Sequence, residues 1–305
     1  MRVTDLVRKG IQTPSQIPFW MYFRLVGLYD KYYFTPSRAT YLFDEDWDVA
    51  IILDGCRYDL AADYVESHSI DLDQPREVWS VGSWSPDWLR RTFDSVPEGV
   101  LNGTSYITAN VFTNEVPESS LGNVDKVWKY AWNEDLGTVP PRPVTDRSIS
   151  AIREGTFDRY LIHYMQPHLP PVNEQADAFP GFRPHEGEPG RGRDKVEWEP
   201  VKSGDIDPDT AREAYRENLL PVLDDLEVLL ENIDAENVVI TADHGNYLGE
   251  QGRWGHPRDH IHPAVRKVPW WETTASNENT HTPDSHTTAS EETDREEKLK
   301  ALGYR

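Results

Sequence analysis

Polar side chains that can bind a metal ion follow two short apolar runs in this sequence. Asp54 comes directly after VAIIL at 49–53, and Asp243 and His244 follow VVIT at 238–241 after a single alanine. Carboxylate oxygens and neutral imidazole nitrogens are good ligands for Zn²⁺, Mn²⁺ or a similar divalent ion. Each motif alone is a weak signal, because an Asp after a strand is often only the cap of the next helix.

The elements that carry these residues are predicted to alternate between buried strands and helices. The runs at 49–53 and 238–241 are short and apolar throughout, which is typical of strands buried on both faces. Such strands alternating with helices predict an α/β fold, a mostly parallel sheet sandwiched by helices, with ligands at the carboxyl ends of the strands. The further predicted elements are strands at 105–112, 126–132 and 160–165 and helices at about 59–67 and 209–231.

The net charge of the 305 residues is −22, with a pI of about 4.8. Such a surface repels a phosphate backbone, which argues against nucleic acid as a partner. Only 9 of the 31 basic residues are lysines. An acidic surface poor in lysine indicates a halophilic protein that stays soluble in high salt, where screening removes the self-repulsion.

The compartment is predicted from cysteine content and hydrophobic runs. Cys56 is the single cysteine, so no intramolecular disulfide can form, and the N-terminus lacks the apolar core of a secretory signal. No run of 18 apolar residues occurs, so we expect a cytoplasmic protein. The aromatic-rich stretch 17–34 could lie on a membrane surface and make the protein peripheral, but a helix packed on the core is the preferred explanation.

Three motifs together resemble the alkaline phosphatase and sulfatase superfamily. ILDGCRYD, around Asp54, is similar to its opening metal-binding strand, and VVITADHGNYLGEQGRWGH, from Val238, is similar to its late Asp-His-Gly motif. Between them, YLIHYMQPHLPP, from Tyr160, is similar to the central strand of sulfatase-like enzymes, which commonly ends in His-x-Pro. Their order and spacing agree with the superfamily from about Asp46 to Trp270.

The resemblance implies a site for a divalent metal such as Zn, Mn, Mg or Ca. Asp54, Asp243 and His244 match the metal site that the superfamily shares. His168 matches a histidine that in relatives binds a second metal or contacts the ester, and His256 matches another position that contacts substrate or metal. No clear second set of ligands precedes His168, so one ion is favoured over two.

The resemblance also implies a nucleophile in VWSVGSWSPDWLRR, a short way after the first Asp. The Cys-x-Pro-Ser-Arg motif of formylglycine sulfatases is absent. The Gly-Ser-x-Ser-x-x-Trp pattern is similar to the nucleophile turn of lipoteichoic acid synthases and phosphoethanolamine transferases, which makes Ser85 nucleophile and metal ligand, with Ser83 as the fallback. Two alternatives are that Ser85 only caps the helix beginning at Pro86, and that Cys56 is the nucleophile rather than a small buried residue.

Arg57 is a further candidate for the catalytic site. Its planar guanidinium could reach a phosphate or sulfate oxygen. It could equally pair with Asp59 or Asp63 on the following helix.

Three other histidines are assigned smaller roles. His260 and His262 are weak candidates, because they lie beyond the matching stretch. His163 lies inside an apolar strand and is expected to be a core histidine.

Composition and the resemblance together divide the chain into four segments: an aromatic-rich helical segment at 1–45, an alkaline phosphatase-like catalytic domain at 46–271, a disordered linker at 272–294 and a short helix at 295–305. A surface insertion rich in Pro, Gly and charge is predicted at about 173–205. The linker has almost no apolar residues, so it cannot bury enough surface to become ordered.

The function predicted from these features is a metal-dependent hydrolase or transferase that acts on a phosphate or sulfate ester through a serine nucleophile. Water as the acceptor gives a hydrolase, whereas a glycan or lipid alcohol gives a transferase. The substrate is therefore an ester that could be linked to a glycan or a lipid. The alternative is a catalytically degenerate member that binds an anionic ligand or scaffolds a surface-glycan pathway.

Overall fold

The computed structural model describes residues 25–66, 68–94, 96–173 and 198–285. The first 24 residues, most of the predicted insertion and the predicted C-terminal helix lie outside the described residues. Within the N-terminal segment predicted at 1–45, residues 25–38 are helical and include a π-helical turn at Asp30–Phe34.

A seven-stranded sheet forms the centre of the fold. Its strands are β1 Val49–Leu53, β2 Arg76–Trp79, β3 Thr104–Thr108, β4 Asn123–Lys126, β5 Arg159–Tyr164, β6 Ala235–Thr241 and β9 Lys267–Ala275, and β7 Tyr247–Leu248 pairs separately with β8 Trp254–Gly255. The strand order is β2-β9-β6-β1-β5-β3-β4. Strands β6, β1, β5, β3 and β4 are parallel, and β9 is antiparallel to both of its neighbours.

Helices flank this sheet. They are α1 Thr35–Arg38, α2 Tyr58–Val65, α3 Ser85–Phe93, α4 Glu98–Asn102, α5 Pro141–Glu154, α6 Glu199–Ser203, α7 Pro208–Glu217, α8 Leu220–Leu230 and α9 Pro263–Arg266. The mostly parallel sheet with flanking helices confirms the predicted α/β class. In the part of the chain that the structure describes, no helix combines the length and apolar character needed to span a membrane.

Strand β1 lies at the middle of the sheet, between β5 and β6. All five of its side chains are buried. A central strand covered on both faces must be apolar throughout, which explains the run VAIIL. Asp54 is therefore held at the end of the most central strand.

The helix predicted at 209–231 is two helices, α7 and α8, which separate at Asn218. The Asn218 side chain is fully buried, and its Nδ2 donates hydrogen bonds to the carbonyls of Pro167 and His168 at 3.1 and 3.0 Å. Its Oδ1 accepts a hydrogen bond from the Val172 amide at 2.9 Å. The helix break thus fixes the loop after β5, a tertiary role that helical periodicity does not indicate.

Two predicted strands are shorter than expected. The run 105–112 is a strand only to Thr108, where β3 ends. The run 126–132 contributes Lys126 to β4 and then forms a 3-10 turn at Val127–Lys129. Val127 and Trp128 are buried within that turn, so their apolar character reflects packing of a turn rather than a strand.

The linker predicted at 272–294 differs from the structure over 272–285. Residues up to Ala275 belong to β9, which pairs with β6. Beyond β9, the His281 amide donates a hydrogen bond to Asn232 Oδ1 at 2.8 Å, and His281 Nε2 lies 2.6 Å from Asp146 Oδ1. Polar contacts with the domain hold this stretch in place, which the lack of apolar residues could not predict.

Candidate functional site

Asp54 and Asp243 lie close together because their strands are neighbours. Strands β1 and β6 pair in parallel, so their carboxyl ends meet at the same edge of the sheet. Asp243 Oδ1 accepts hydrogen bonds from the Gly55 amide at 3.0 Å and from the His244 amide at 2.8 Å. These backbone donors fix the orientation of the carboxylate.

Ser85 contacts this pair from the first residue of α3. Its Oγ lies 3.2 Å from Asp54 Oδ2 and 3.3 Å from His244 Nε2, and the side chain is fully buried. The residue that caps α3 is Trp84, and no side chain caps the helix. The hydroxyl of Ser85 is thus directed at the strand ends and does not cap the helix.

The His244 ring presents one nitrogen to the cluster. Its Nδ1 lies 2.8 Å from the Gly245 carbonyl oxygen. Because a carbonyl can only accept, Nδ1 carries the hydrogen in the neutral ring and Nε2 keeps its lone pair. Nε2 lies 3.6 Å from Asp54 Oδ1 and 3.4 Å from Asp243 Oδ2. A backbone carbonyl that fixes the tautomer in this way is typical of a metal-binding histidine.

Two residues that the sequence reasoning missed, His163 and Asn110, complete the cluster. His163 is on β5, the other neighbour of β1, and its Nε2 lies 3.7 Å from Asp54 Oδ2 and 3.9 Å from Asp243 Oδ2. Asn110 follows β3 and donates a hydrogen bond from Nδ2 to Asp54 Oδ2 at 2.8 Å. The expectation that His163 is only a core histidine is therefore incomplete: its ring is buried, but one nitrogen faces both carboxylates.

The signal that could have found these residues is their place near a strand end. In the sheet, His163 pairs with Ile52, two residues before Asp54. Asn110 lies two residues beyond the end of β3. Neither residue belongs to a motif with a characteristic spacing, so only the strand order shows that they meet Asp54.

Three fully buried atoms in this cluster have no hydrogen-bond partner: Asp54 Oδ1, Asp243 Oδ2 and His163 Nε2. Asp54, His163 and Asp243 each offer a ligand atom, and these atoms lie within 4.8 Å of one another. Buried polar atoms are normally hydrogen-bonded. Their chemistry, two carboxylates and an imidazole, is that of a site for a divalent metal.

The two carboxylates differ in acidity. Burial raises the pKa of the Asp54 carboxyl, but His163, His168 and His244 more than offset this and hold its pKa below the usual range. Burial, followed by the charge of Asp54, raises the pKa of the Asp243 carboxyl. Asp54 is therefore the carboxylate that keeps its charge most strongly.

His168 and His256 form a second pair beside the first cluster. Their Nε2 atoms lie 2.9 Å apart, and the ring of His256 stacks on that of His244 with centroids 4.4 Å apart. His168 Nδ1 lies 2.7 Å from the Leu169 carbonyl oxygen, so Nδ1 donates and Nε2 of the neutral ring accepts from His256. Burial, then the charges of His244 and His168, lower the pKa of His256 well below its usual value.

Arg57 forms ion pairs with two carboxylates outside this cluster. Its guanidinium donates to both oxygens of Asp59, at 2.8 and 2.6 Å, and to Glu250 Oε1 at 2.6 Å. The predicted pairing with Asp59 is thus observed, whereas Asp63 pairs with Arg216. Contact of Arg57 with a phosphate or sulfate oxygen stays a prediction.

Ser83, the fallback nucleophile, has different partners from Ser85. Its Oγ donates to the Pro257 carbonyl at 3.0 Å and accepts from the His260 amide at 3.3 Å. His260 Nδ1 lies 3.2 Å from the Tyr247 hydroxyl, and the ring of His262 lies against Tyr247. These residues form a group around the loop that follows His256.

Cys56 is fully buried, next to the turn after β1. Burial raises the pKa of its thiol, which disfavours the thiolate that a nucleophilic cysteine needs.

Comparison with solved structures identifies the fold. The chain resembles the integral membrane protein lipooligosaccharide phosphoethanolamine transferase A from Neisseria meningitidis, with a TM-score of 0.54 and 14% identity over 76% of this chain. The soluble domain of the same transferase gives a TM-score of 0.51 and 15% identity, covering 84% of this chain and 89% of that domain. This chain therefore has the alkaline phosphatase-like fold of that domain. This confirms the fold that the three motifs imply.

The alkaline phosphatase-like fold is shared at low sequence identity. This chain covers 48% of the full-length transferase, so it spans about half the length of that protein. A putative sulfatase from Bacteroides thetaiotaomicron is also similar, with a TM-score of 0.45 and 11% identity over 73% of this chain and 63% of its own. No protein-family model and no curated protein sequence matches the chain.

Proposed function

We propose that this chain transfers or hydrolyses a phosphate or sulfate ester through a covalent intermediate on Ser85. The observation that carries the proposal is the position of Ser85 Oγ, 3.2 Å from Asp54 Oδ2 and 3.3 Å from His244 Nε2 in a fully buried cluster. A serine hydroxyl is a weak nucleophile, and a base or a metal beside it is what activates it. The alkaline phosphatase-like fold supports the same reaction class by analogy.

A divalent ion is the cofactor that these side chains fit best. The atoms of Asp54, Asp243 and His163 that lack a hydrogen-bond partner supply three metal-ligand atoms. His244 Nε2 and Ser85 Oγ face the same cluster. A set of two carboxylates and an imidazole favours Zn²⁺ or Mn²⁺. A site made of oxygen ligands alone would instead favour Mg²⁺ or Ca²⁺. When bound, such an ion would stabilise the negative charge on the serine oxygen and on the ester oxygens.

The proposed reaction has two displacements at Ser85. In the first, the hydroxyl gives up its proton and Oγ forms a bond to phosphorus or sulfur. The bond to the leaving oxygen breaks, and that oxygen takes up a proton and departs as an alcohol. In the second, the oxygen of water or another alcohol forms a bond to the group and gives up a proton, while the bond to Oγ breaks and Oγ regains a proton. Because Ser85 lies at the N-terminus of a nine-residue helix, the dipole of α3 also favours the anionic group.

His168 and His256 are proposed to contact the ester next to Ser85. Their pair, joined at 2.9 Å, adjoins His244 through the stacked ring of His256. Since the pKa of His256 is lowered, its ring is neutral at neutral pH and carries one N–H, which it donates to His168 Nε2 in this structure. An oxygen of the bound ester would accept that hydrogen in place of His168, and the ring would add no charge. Such a donor suits an oxygen of the bound group or of the leaving alcohol.

The substrate class is proposed to be a phosphate ester carried by a glycan or a lipid. Two solved neighbours with TM-scores above 0.5 are a phosphoethanolamine transferase named for lipooligosaccharide and its soluble domain. The absence of the formylglycine motif from the sequence places sulfate esters second. A degenerate protein that only binds an anion would keep the cluster but form no bond at Ser85.

The experiment that tests the proposal is to trap the covalent intermediate. Protein loaded with Zn²⁺ or Mn²⁺ is mixed with p-nitrophenyl phosphate, its diesters or p-nitrophenyl sulfate in high salt, quenched in acid and digested for mass spectrometry. We expect the added group on Ser85 in the wild type and its loss in Ser85→Ala. Ser83→Ala is the matched control two residues away, and it should keep the label.

Metal content measured on the same samples separates the two functions. Stoichiometric metal in the wild type that is lost in Asp243→Ala, together with the label on Ser85, supports the enzyme. Metal without label or turnover for any of these esters would favour the anion-binding alternative. A label on Ser83 would instead make the fallback serine the nucleophile.

A further inference from the structure

The helical segment 25–38 carries a cluster of exposed hydrophobic side chains. In the described part of the chain, the exposed large hydrophobic residues are Leu28, Tyr32 and Tyr33, with 39, 65 and 52% of their surface accessible. All three lie on this one segment. Lys31 lies among them, with Nζ 5.5 Å from the centre of the Tyr32 ring. We call the surface formed by these four residues the outer face.

The outer face is basic in a protein that is otherwise acidic. The first 38 residues contain six basic and two acidic residues, a net charge of +4. Since the whole chain has a net charge of −22, the remaining 267 residues carry a net charge of −26. One of the two acidic residues, Asp30, is buried, so both charged side chains exposed on the segment, Lys31 and Arg38, are cationic. A basic, aromatic surface of this kind complements anionic lipid.

The opposite face of the segment is fixed to the domain. Asp30 is fully buried and pairs with Arg266 at 2.7 Å and with Arg91 at 2.8 Å. Phe34 packs edge-on against Trp79 with ring centres 5.0 Å apart. Removing one partner of a buried ion pair is strongly destabilising. These contacts therefore hold segment 25–38 firmly against the domain.

The attachment leads directly to the candidate site. Arg266 Nε donates to the Ser80 carbonyl at 2.9 Å, and the Ser80 hydroxyl donates to the carbonyl of Asp243. The outer face is therefore held in a fixed orientation relative to the metal-binding cluster.

We propose that the outer face lies in the headgroup region of a lipid bilayer that contains anionic lipid. Tyrosine suits that region, because its ring is apolar and its hydroxyl stays hydrated, and basic side chains bind the phosphates. The sequence continues the same chemistry: IPFWMYFR at 17–24 precedes the segment, and no Asp or Glu occurs from residue 6 to 29. The contact would hold the protein on the surface without requiring a membrane-spanning helix.

This inference does not depend on the proposed reaction. If the proposed function also holds, the contact would place the site beside lipid-linked esters. Vesicle binding measures the contact without any turnover, so failure of one proposal can be told from failure of the other.

The test is co-sedimentation of the full chain with sucrose-loaded vesicles. One set is made of phosphatidylcholine and the other of phosphatidylcholine with phosphatidylglycerol, at about 0.1 M salt, where the Debye length is about 10 Å. We expect binding to the anionic vesicles. Tyr32→Ser/Tyr33→Ser should weaken binding at least about tenfold, because it removes two rings that would be partly buried in the bilayer. Lys31→Glu should weaken binding by a similar factor.

Lys129→Glu is the matched control. Lys129 is also exposed and its Nζ lies 5.7 Å from the Trp128 ring, but it is far from segment 25–38 in sequence and lies beside a buried tryptophan. This variant should bind like the wild type. Because all substituted side chains are exposed, the thermal unfolding midpoints should agree and exclude misfolding as the cause.

Two results would overturn the proposal. One is a wild type that does not sediment with anionic vesicles, or variants that all sediment equally. The other is a dimer, detected by analytical ultracentrifugation, that dissociates in Tyr32→Ser/Tyr33→Ser, which would make a second copy of the chain the partner of the outer face.

Discussion

At the scale of single residues, the partnerless atoms of Asp54, Asp243 and His163 are the strongest physical sign of a metal. Leaving a buried polar atom without a partner costs about 1–3 kcal/mol, and more if it is charged. All three are fully buried at one edge of the sheet. A bound cation would satisfy them together, so metal binding should stabilise the fold as well as serve the reaction.

His163 is the residue whose role was least expected. Its Nδ1 lies 2.9 Å from the Tyr106 hydroxyl, and its Nε2 faces the carboxylates. We predict that His163→Ala lowers the affinity for Zn²⁺ by at least roughly 10- to 100-fold, because loss of even a group that only supports a ligand has that effect in known metal sites. Competition with a chromophoric chelator measures this. His281→Ala, which removes a histidine paired with Asp146, should leave the affinity unchanged. Equal affinities for wild type and His163→Ala would make His163 a packing residue.

A second prediction at this scale concerns pH. Burial, then the charges of Arg253 and His262, lower the pKa of His260 to about 4 from a usual value of 6.5. The unfolded chain therefore binds a proton before the folded one does as pH falls. The stability from neutral His260 is fully present above pH 6.5 and is lost between 6.5 and about 4. The loss is at most about 3.4 kcal/mol, and solvent screening of the charged ring reduces it.

Chemical denaturation of wild type and His260→Gln across this pH range measures that loss. The difference in unfolding free energy between the two proteins should shrink as the pH falls towards 4. A difference that stays constant with pH would show that His260 titrates alike in both states.

At the scale of elements, the turn after β6 depends on a close approach to α9. The Gly245 amide donates to the Val265 carbonyl at 3.0 Å. A Cβ on Gly245 would lie 2.3 Å from the Ala264 carbonyl oxygen, far inside van der Waals contact. The glycine of the Asp-His-Gly motif is thus required because backbone packs on backbone at this turn.

We therefore predict that Gly245→Ala is destabilising by about 1–3 kcal/mol and weakens metal binding, since it displaces Asp243 and His244. Gly99→Ala is the control, because a Cβ there meets nothing within 4 Å. Thermal unfolding and metal titration of both variants measure the effect. Wild-type values for Gly245→Ala would mean that the turn and α9 separate easily.

At the scale of the whole molecule, the surface and the candidate site differ in charge. The chain carries −22 overall, whereas the candidate site contains four histidines beside two carboxylates. Its fully buried members are His163, His168, His244, Asp54 and Asp243, and His256 is partly exposed at its edge. Salt screens exposed charges strongly and buried ones weakly. Raising the salt should therefore relieve repulsion on the surface and change the site little.

The matching prediction is that the unfolding temperature rises with salt. Between about 0.1 M and 1 M KCl the Debye length falls from about 10 Å to about 3 Å, which reduces repulsion among the acidic side chains in the folded state. Calorimetry over this range should show a rise, and the affinity for Zn²⁺ should change less than the stability does. An unfolding temperature that falls with salt would contradict the halophilic interpretation.

Much of the fold and part of the candidate site could be predicted from local sequence. The apolar run of β1 marks a strand buried on both faces, and Asp54 marks its end. Asp243 and His244 mark the end of β6 in the same way. The structure brings Ser85 to these residues, as the predicted motif requires, while its role as nucleophile stays a proposal.

By itself the sequence determined the α/β class and the strand-end residues, because composition and short-range pattern depend on local burial and turns. The tertiary structure decided which side chains from different strands and helices come into contact. His163 faces Asp54 because β5 lies beside β1, and Asn218 divides a helix because its amide bonds the loop that carries His168. Residues 276–285 are ordered through polar contacts with distant segments. Such contacts depend on how distant segments pack, and local sequence pattern does not encode which residues they join.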